Sequence, residues 1–67
     1  MKAISGKKLC QVLAKKGWIH VRTRGSHRRY EKPGQTSVTV PVHGNKSLKT
    51  GLLHRLLKTT GLTEDDL

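Results

Sequence analysis

The sequence predicts an α+β domain in the order αβββα, a three-stranded antiparallel sheet with two helices packed on one of its faces. Three observations lead there. Apolar residues recur at helical spacing near both ends of the chain and at strand spacing in the middle. Gly25-Ser26 and Pro33-Gly34 cut the middle into three short runs. The length, 67 residues, leaves room for one small domain over residues 1–67 and no second one.

Ser5 is placed to cap a first helix running through Leu9, Val12, Leu13 and Lys16, and Gly17 supplies its left-handed stop. Leu9, Val12 and Leu13 form the inner face, while Lys7, Lys8, Lys15 and Lys16 supply the wet one. From Trp18 to Arg24 the period changes to two, with Ile19, Val21 and Thr23 alternating against His20, Arg22 and Arg24. Gly25-Ser26 then reads as a two-residue type II′ turn, and His27 to Lys32 as the return strand. This register sets Val21 opposite Tyr30, Thr23 opposite Arg28 and Ile19 beside Lys32 on the apolar face. The other face pairs Arg24 with His27, Arg22 with Arg29 and His20 with Glu31.

After Pro33-Gly34, Ser37 to Pro41 predicts a third strand, and a three-residue loop would put Val38 opposite Tyr30. Thr50 is placed to cap a second helix whose Leu52, Leu53, Leu56 and Leu57 form a buried stripe ending at Gly61. Thr63 followed by Glu64, Asp65 and Asp66 reads as the start of a third helix.

Charge is the most informative feature of the composition. The formal net charge is +10, and residues 1–63 hold all fourteen lysines and arginines against Glu31 alone. Such a surface suits a polyanion or an acidic protein, and nucleic acid fits better than a merely solvated basic face. Cys10 has no second cysteine, which excludes a disulfide and thiolate zinc sites and fits a reducing cytoplasm. No run is long and apolar enough for a membrane span or a signal segment. His20, His43 and His54 lack metal-ligand spacing, so no metal or other cofactor is expected. Trp18 could stack on a base or cover the helix end and sheet edge.

The polar sheet face carries the candidate chemistry. Two arginines directly opposite each other, Arg22 and Arg29, repel unless an anion lies between them, and a phosphate would serve. Arg24 joins them around His27. An imidazole near neutral pH can take a proton, and RNA cleavage by its own 2′-hydroxyl needs a base for that hydroxyl and cations for the phosphorane. The bland alternative is a half-exposed strand histidine among solvated arginines. Lys46 and Lys49, near the second helix start, are candidates for gripping the nucleic-acid backbone.

The run GWIHVRTRGSHRRY followed by VTVPVHGNKSLKTGLLHRLLKTTGL resembles the HicA, or YcfA-like, family of bacterial toxin-antitoxin modules over nearly the whole chain. The GSH tripeptide at a hairpin, the TVPVH strand and loop, and the LK-x-G-x-L helix start occur together in order. The resemblance implies a double-stranded-RNA-binding-domain-like fold and an mRNA interferase, a ribosome-independent endoribonuclease held inactive by a HicB-type antitoxin. It implies that His27 is catalytic and that Gly25, Ser26 and Arg28, in and beside the motif, join Arg22, Arg24, Arg29, Lys46 and Lys49 in binding RNA. Operator DNA would be met only indirectly, through the antitoxin complex. Two positions depart from the family pattern. Thr50 stands where relatives often carry proline, and Arg28 where many carry a second histidine, so any general acid must come from elsewhere or from water. The rival reading is a non-catalytic RNA-binding module of the same fold, in which His27 only touches a phosphate or 2′-hydroxyl. A DNA reader lacks a recognition helix, because the second helix turns leucines to its one distinctive face.

Overall fold

A computed structural model describes residues 3–67. The elements follow the order α1 (Gly6–Lys15), β1 (Ile19–Arg24), β2 (His27–Glu31), β3 (Val38–Pro41) and α2 (Thr50–Thr60), closed by a 3-10 turn at Glu64–Asp66. The strands form an antiparallel meander in the order β1-β2-β3. Both helices pack on β3, and α1 also meets β1. The core between helices and sheet is built from Leu9, Leu13, Trp18, Tyr30, Val40 and Leu53, with the remaining buried aliphatics around them.

Local chemistry explains where the helices begin and end. The Lys8 N–H donates to Ser5 Oγ at 3.1 Å, satisfying one of the orphan donors of the first turn of α1. Gly17 follows α1 at φ +92° and Gly61 ends α2 at φ +76°, the left-handed conformation that suits glycine. At α2 the cap differs from expectation. Lys49 occupies the N-cap and makes no side-chain cap bond, and Thr50 is the first helical residue. The chain past Gly61 makes a single 3-10 turn rather than a third α-helix, held by a capping box in which the Thr63 N–H donates to Asp66 Oδ2 at 2.8 Å.

Gly6 shows how closely α1 approaches the sheet. A Cβ there would overlap the Pro41 carbonyl oxygen and lie 3.1 Å from its carbon and 3.3 Å from Val42 Cα. Only glycine lets α1 start against β3. The Leu48 N–H donates to the Ile4 carbonyl at 2.8 Å beside this approach, and Ser5 pairs with Ser47 in an isolated bridge.

The hairpin keeps the expected register near its turn and loses it farther out. Arg24 pairs with His27, Thr23 with Arg28 and Arg22 with Arg29, but a bulge lies between His20 and Arg22. Beyond it His20, not Val21, faces Tyr30, and Ile19 faces Glu31 rather than Lys32. The expected His20–Glu31 pair is therefore absent. His20 instead stacks on Tyr30 with ring centroids 5.2 Å apart, its Nε2 2.7 Å from Thr23 Oγ1.

Trp18 supplies the physical reason for the bulge. An unbroken alternation would turn Ile19 and Val21 toward the helices and the indole away from them, and the indole is the largest apolar group in the chain. The one-residue shift puts Trp18 in the core at 4% exposure, covering the helix end and leaving no face for a base. The Trp18 N–H donates to the Leu13 carbonyl at 3.0 Å, fixing the chain as it leaves α1. Ile19 and Val21 are left 60% and 46% exposed.

The second strand pair matches expectation, with Tyr30 opposite Val38. The regular ladder is shorter than expected, because β2 ends at Glu31 instead of Lys32 and β3 begins at Val38 instead of Ser37. Pro33 and Gly34 at φ +78° turn the connection before pairing can extend.

Candidate nucleic-acid interface

The helices cover one face of the sheet, so the side chains that alternate against Tyr30, Val38 and Val40 stand on the open one. His27 and Arg29 from β2, Arg22 and Arg24 from β1, and Thr39 from β3 line a hollow of about 150 Å³ on that face. Register brings them together. Arg24 is paired with His27, and Arg22, Arg29 and Thr39 lie in one row across the three strands. Three guanidinium groups thus line a hollow with one exposed imidazole, an arrangement of donors suited to an anion with several oxygens.

Arg29 is the best-anchored of the three. Its terminal NH2 group donates to Ser37 Oγ at 2.9 Å, and its Nε lies 3.4 Å from Glu31 Oε2. Arg22 and Arg24 remain exposed around the same hollow. The Arg22–Arg29 pairing expected from the register is present, and Glu31 sets a carboxylate beside Arg29.

The turn below this row is built for a tight reversal. Gly25 sits at φ +59° while no other residue type among those described adopts positive φ, so Ser26 does not, as a type II′ turn requires. The Ser26 carbonyl accepts the Val42 N–H at 2.7 Å, tying the turn to the chain beyond β3. His27 is thereby held at the first position of β2.

Three of the expected RNA-contacting residues are placed elsewhere. Arg28 alternates to the helix side, opposite Val40 and Thr23, where its charge acts on Tyr30. Lys46 and Lys49 line a second hollow of about 210 Å³ with Pro41, His43 and Leu52. Pro41 is the register partner of His27, so this hollow adjoins the first without contributing to it. His54 is exposed on α2, and Cys10 is buried in the core.

Thr39 and Ser37 join the site without a motif to mark them, and Glu31, expected opposite His20, meets Arg29 instead; one signal in the sequence points to Thr39. It alternates with Val38 and Val40, which are buried, and so must share a face with Arg29.

A family model for the HicA toxin of bacterial toxin-antitoxin systems matches residues 6–62, which span every helix and strand and leave out the terminal 3-10 turn. The chain belongs to the HicA toxin family. No curated protein matches it significantly. Within this HicA domain the matched segment contains the whole His27 hollow, the Gly25-Ser26 turn and the Lys46–Lys49 hollow. HicA membership makes the chain a toxin of the toxin-antitoxin type and broadly supports a nuclease activity. Among the described residues no helix is long and apolar enough to cross a membrane.

Proposed function

We propose that this chain acts as one HicA-type toxin domain, a cytoplasmic endoribonuclease that cuts mRNA without the ribosome. The observation that carries the reading is the hollow that Arg22, Arg24 and Arg29 line together with His27. A phosphodiester placed there would meet three guanidinium groups, with the imidazole free to reach the neighbouring ribose.

In this mechanism His27 takes the proton of the 2′-hydroxyl, and that oxygen attacks the adjacent phosphorus. The arginines offset the charge that builds on the non-bridging oxygens of the phosphorane. The bond to the 5′-oxygen breaks, and the leaving alkoxide takes a proton from water. Products are a 2′,3′-cyclic phosphate and a 5′-hydroxyl. The nucleophile belongs to the RNA and the counter-charge to the arginines, so the scheme needs no metal ion.

The partner in this reading is an acidic HicB-type antitoxin that lies over the same face. The charges that grip phosphate are those from which carboxylates gain most, so binding and inhibition become one event.

His27→Ala is the deciding experiment. His27 is exposed at the start of β2, so the variant should fold and bind RNA nearly as the wild type does. It should lose cleavage and the growth arrest that accompanies expression, while wild-type cleavage persists in excess EDTA. Wild-type rates from the variant would remove His27 from catalysis. Cleavage that EDTA abolishes and a divalent ion restores, or 5′-phosphate ends, would replace the mechanism.

A further inference from the structure

The open sheet face carries a second depression that the reaction above does not use. It is a groove of about 450 Å³, walled by Ile19 and Val21 from β1, Glu31 from β2, and Lys32, Pro33, Gln35 and Ser37 from the connection to β3. Its floor is apolar because the bulge turns the two most exposed large hydrophobic residues of the described chain onto it. Its edge is polar, with a carboxylate, an amide, a hydroxyl and the side chain of Lys32, whose ammonium donates to the Lys16 carbonyl.

Arg29 joins the groove to the His27 hollow. It lines the hollow, and its guanidinium contacts Ser37 and Glu31, which wall the groove. His27 and Glu31 stand four residues apart on β2, about 13 Å along the strand. An anion site thus continues directly into an apolar slot with hydrogen-bonding groups on its rim.

We propose that this groove is a nucleobase subsite. With an RNA phosphate among Arg22, Arg24 and Arg29, the base of a nucleotide one or two places away lies flat on Ile19 and Val21. Its edge meets Glu31, Gln35 and Ser37. The proposal rests on the RNA-cleavage reading and adds a specificity element to it. A nucleotide chain alternates an anion with a flat, apolar-faced ring, which is the alternation this surface complements. The apolar floor argues against an acidic protein segment as the occupant, because Ile19 and Val21 offer a carboxylate no partner and Glu31 is already offset by Arg29. The Glu31 carboxylate can still accept N–H donors from a base edge. The subsite therefore favours bases that present an amino group.

The test uses an oligoribonucleotide with one cut site, and a series in which each of the two nucleotides on either side of the cut is made abasic in turn. The Ile19→Ala/Val21→Ala double variant is the main perturbation. Val21→Thr keeps the branched shape and serves as a second variant if the double one melts early. The double variant should lower kcat/KM on intact RNA about tenfold, the scale expected for losing the apolar contact of two aliphatic side chains. The salt dependence of binding should not change, because no phosphate contact is lost.

At one abasic position the wild type should lose about the same factor, and the double variant should lose nothing more there. Val21→Thr should give a smaller loss with the same dependence on that position. Glu31→Gln should move the preferred base at that position toward uracil.

Wild-type kinetics from the double variant would overturn the subsite while leaving the cleavage reading intact. So would losses that multiply at every abasic position. Normal cleavage combined with lost antitoxin affinity would assign the groove to the protein partner and overturn it equally. If the wild type neither cuts nor binds RNA, the functional reading fails and the subsite with it.

Discussion

Replacing Gly6 with alanine tests how tightly α1 is seated on the sheet that carries the hollow. Alanine normally stabilises a helix relative to glycine, by up to about 1 kcal/mol in an interior position. At Gly6 the added methyl meets the Pro41 carbonyl and crowds Val42 Cα, and both are backbone, which cannot rotate away. Overpacking of this kind costs about 1–3 kcal/mol, so the net effect should be a loss of about 1–2 kcal/mol. A domain of this length holds about 3–10 kcal/mol in all, and each kcal/mol moves its melting point by about 4–8 °C. Gly6→Ala should therefore lower Tm by about 5–15 °C in a thermal melt followed by circular dichroism. Gly51→Ala is the matched control. It lies in the first turn of α2 with open space around it and no positive φ, so the same substitution should leave Tm unchanged or raise it. If Gly6→Ala melted at or above the wild-type temperature, the close approach of α1 to Pro41 would be refuted.

Arg22→Glu should weaken RNA and antitoxin binding together and reduce the salt slope for RNA by about one, with Tm unchanged, since Arg22 is exposed on the open face. Arg29→Glu should do the same and also lower Tm, because it breaks the Ser37 bond and sets a carboxylate beside Glu31. Burial and the nearby Cys10 raise the Tyr30 hydroxyl above its ordinary range, against a smaller opposing pull from Arg28. A raised folded value means stability that is complete below about pH 10 and lost as pH rises through the folded value, so Tyr30→Phe should flatten the alkaline limb of a stability–pH curve. The Thr63 N–H and Lys16, whose Nζ is 3.1 Å from Asp66 Oδ1, hold the Asp66 carboxyl below its usual range. That contribution is present above about pH 4 and disappears as pH falls through the depressed folded value, so the last turn should fray in acid in the wild type and show no such pH dependence in Asp66→Asn, with NMR as the readout.

Most of the architecture was legible because it follows local rules. The leucine spacings of α1 and α2, the Ser5 cap and the glycine stops each depend on residues within one turn of one another. The meander and the Arg22–Arg29 pair follow from a two-residue turn at Gly25-Ser26, which sets the register of the residues nearest to it. The bulge was not legible, because it results from a competition settled in the core. Ile19-x-Val21-x-Thr23 reads as an inward face until Trp18 claims the space, and nothing in β1 itself marks the extra residue. The same competition hid the groove, whose two aliphatic walls had been counted toward the core. The shared face of Arg22, Arg24, His27 and Arg29 was legible because it depends only on parity with Tyr30. The position of Arg28 on the helix side follows from that parity too, whatever the motif around it suggests. Thr50 missed the cap by one residue, an error that cap chemistry corrects only when a side-chain bond forms, and Lys49 makes none.

The bulge at Val21 also bears on how the protein behaves when crowded. β1 is an edge strand, and a regular edge carrying Ile19 and Val21 in alternation would offer a second chain a row of free backbone groups to pair with. The extra residue breaks that row and increases the local twist, so a straight strand cannot dock along it. Arg22 and Arg24, just beyond the break, repel another copy of the same edge. An exposed aliphatic pair on a strand is ordinarily an aggregation hazard. Here the irregularity that exposes the pair also removes the edge along which fibril-like stacking would start.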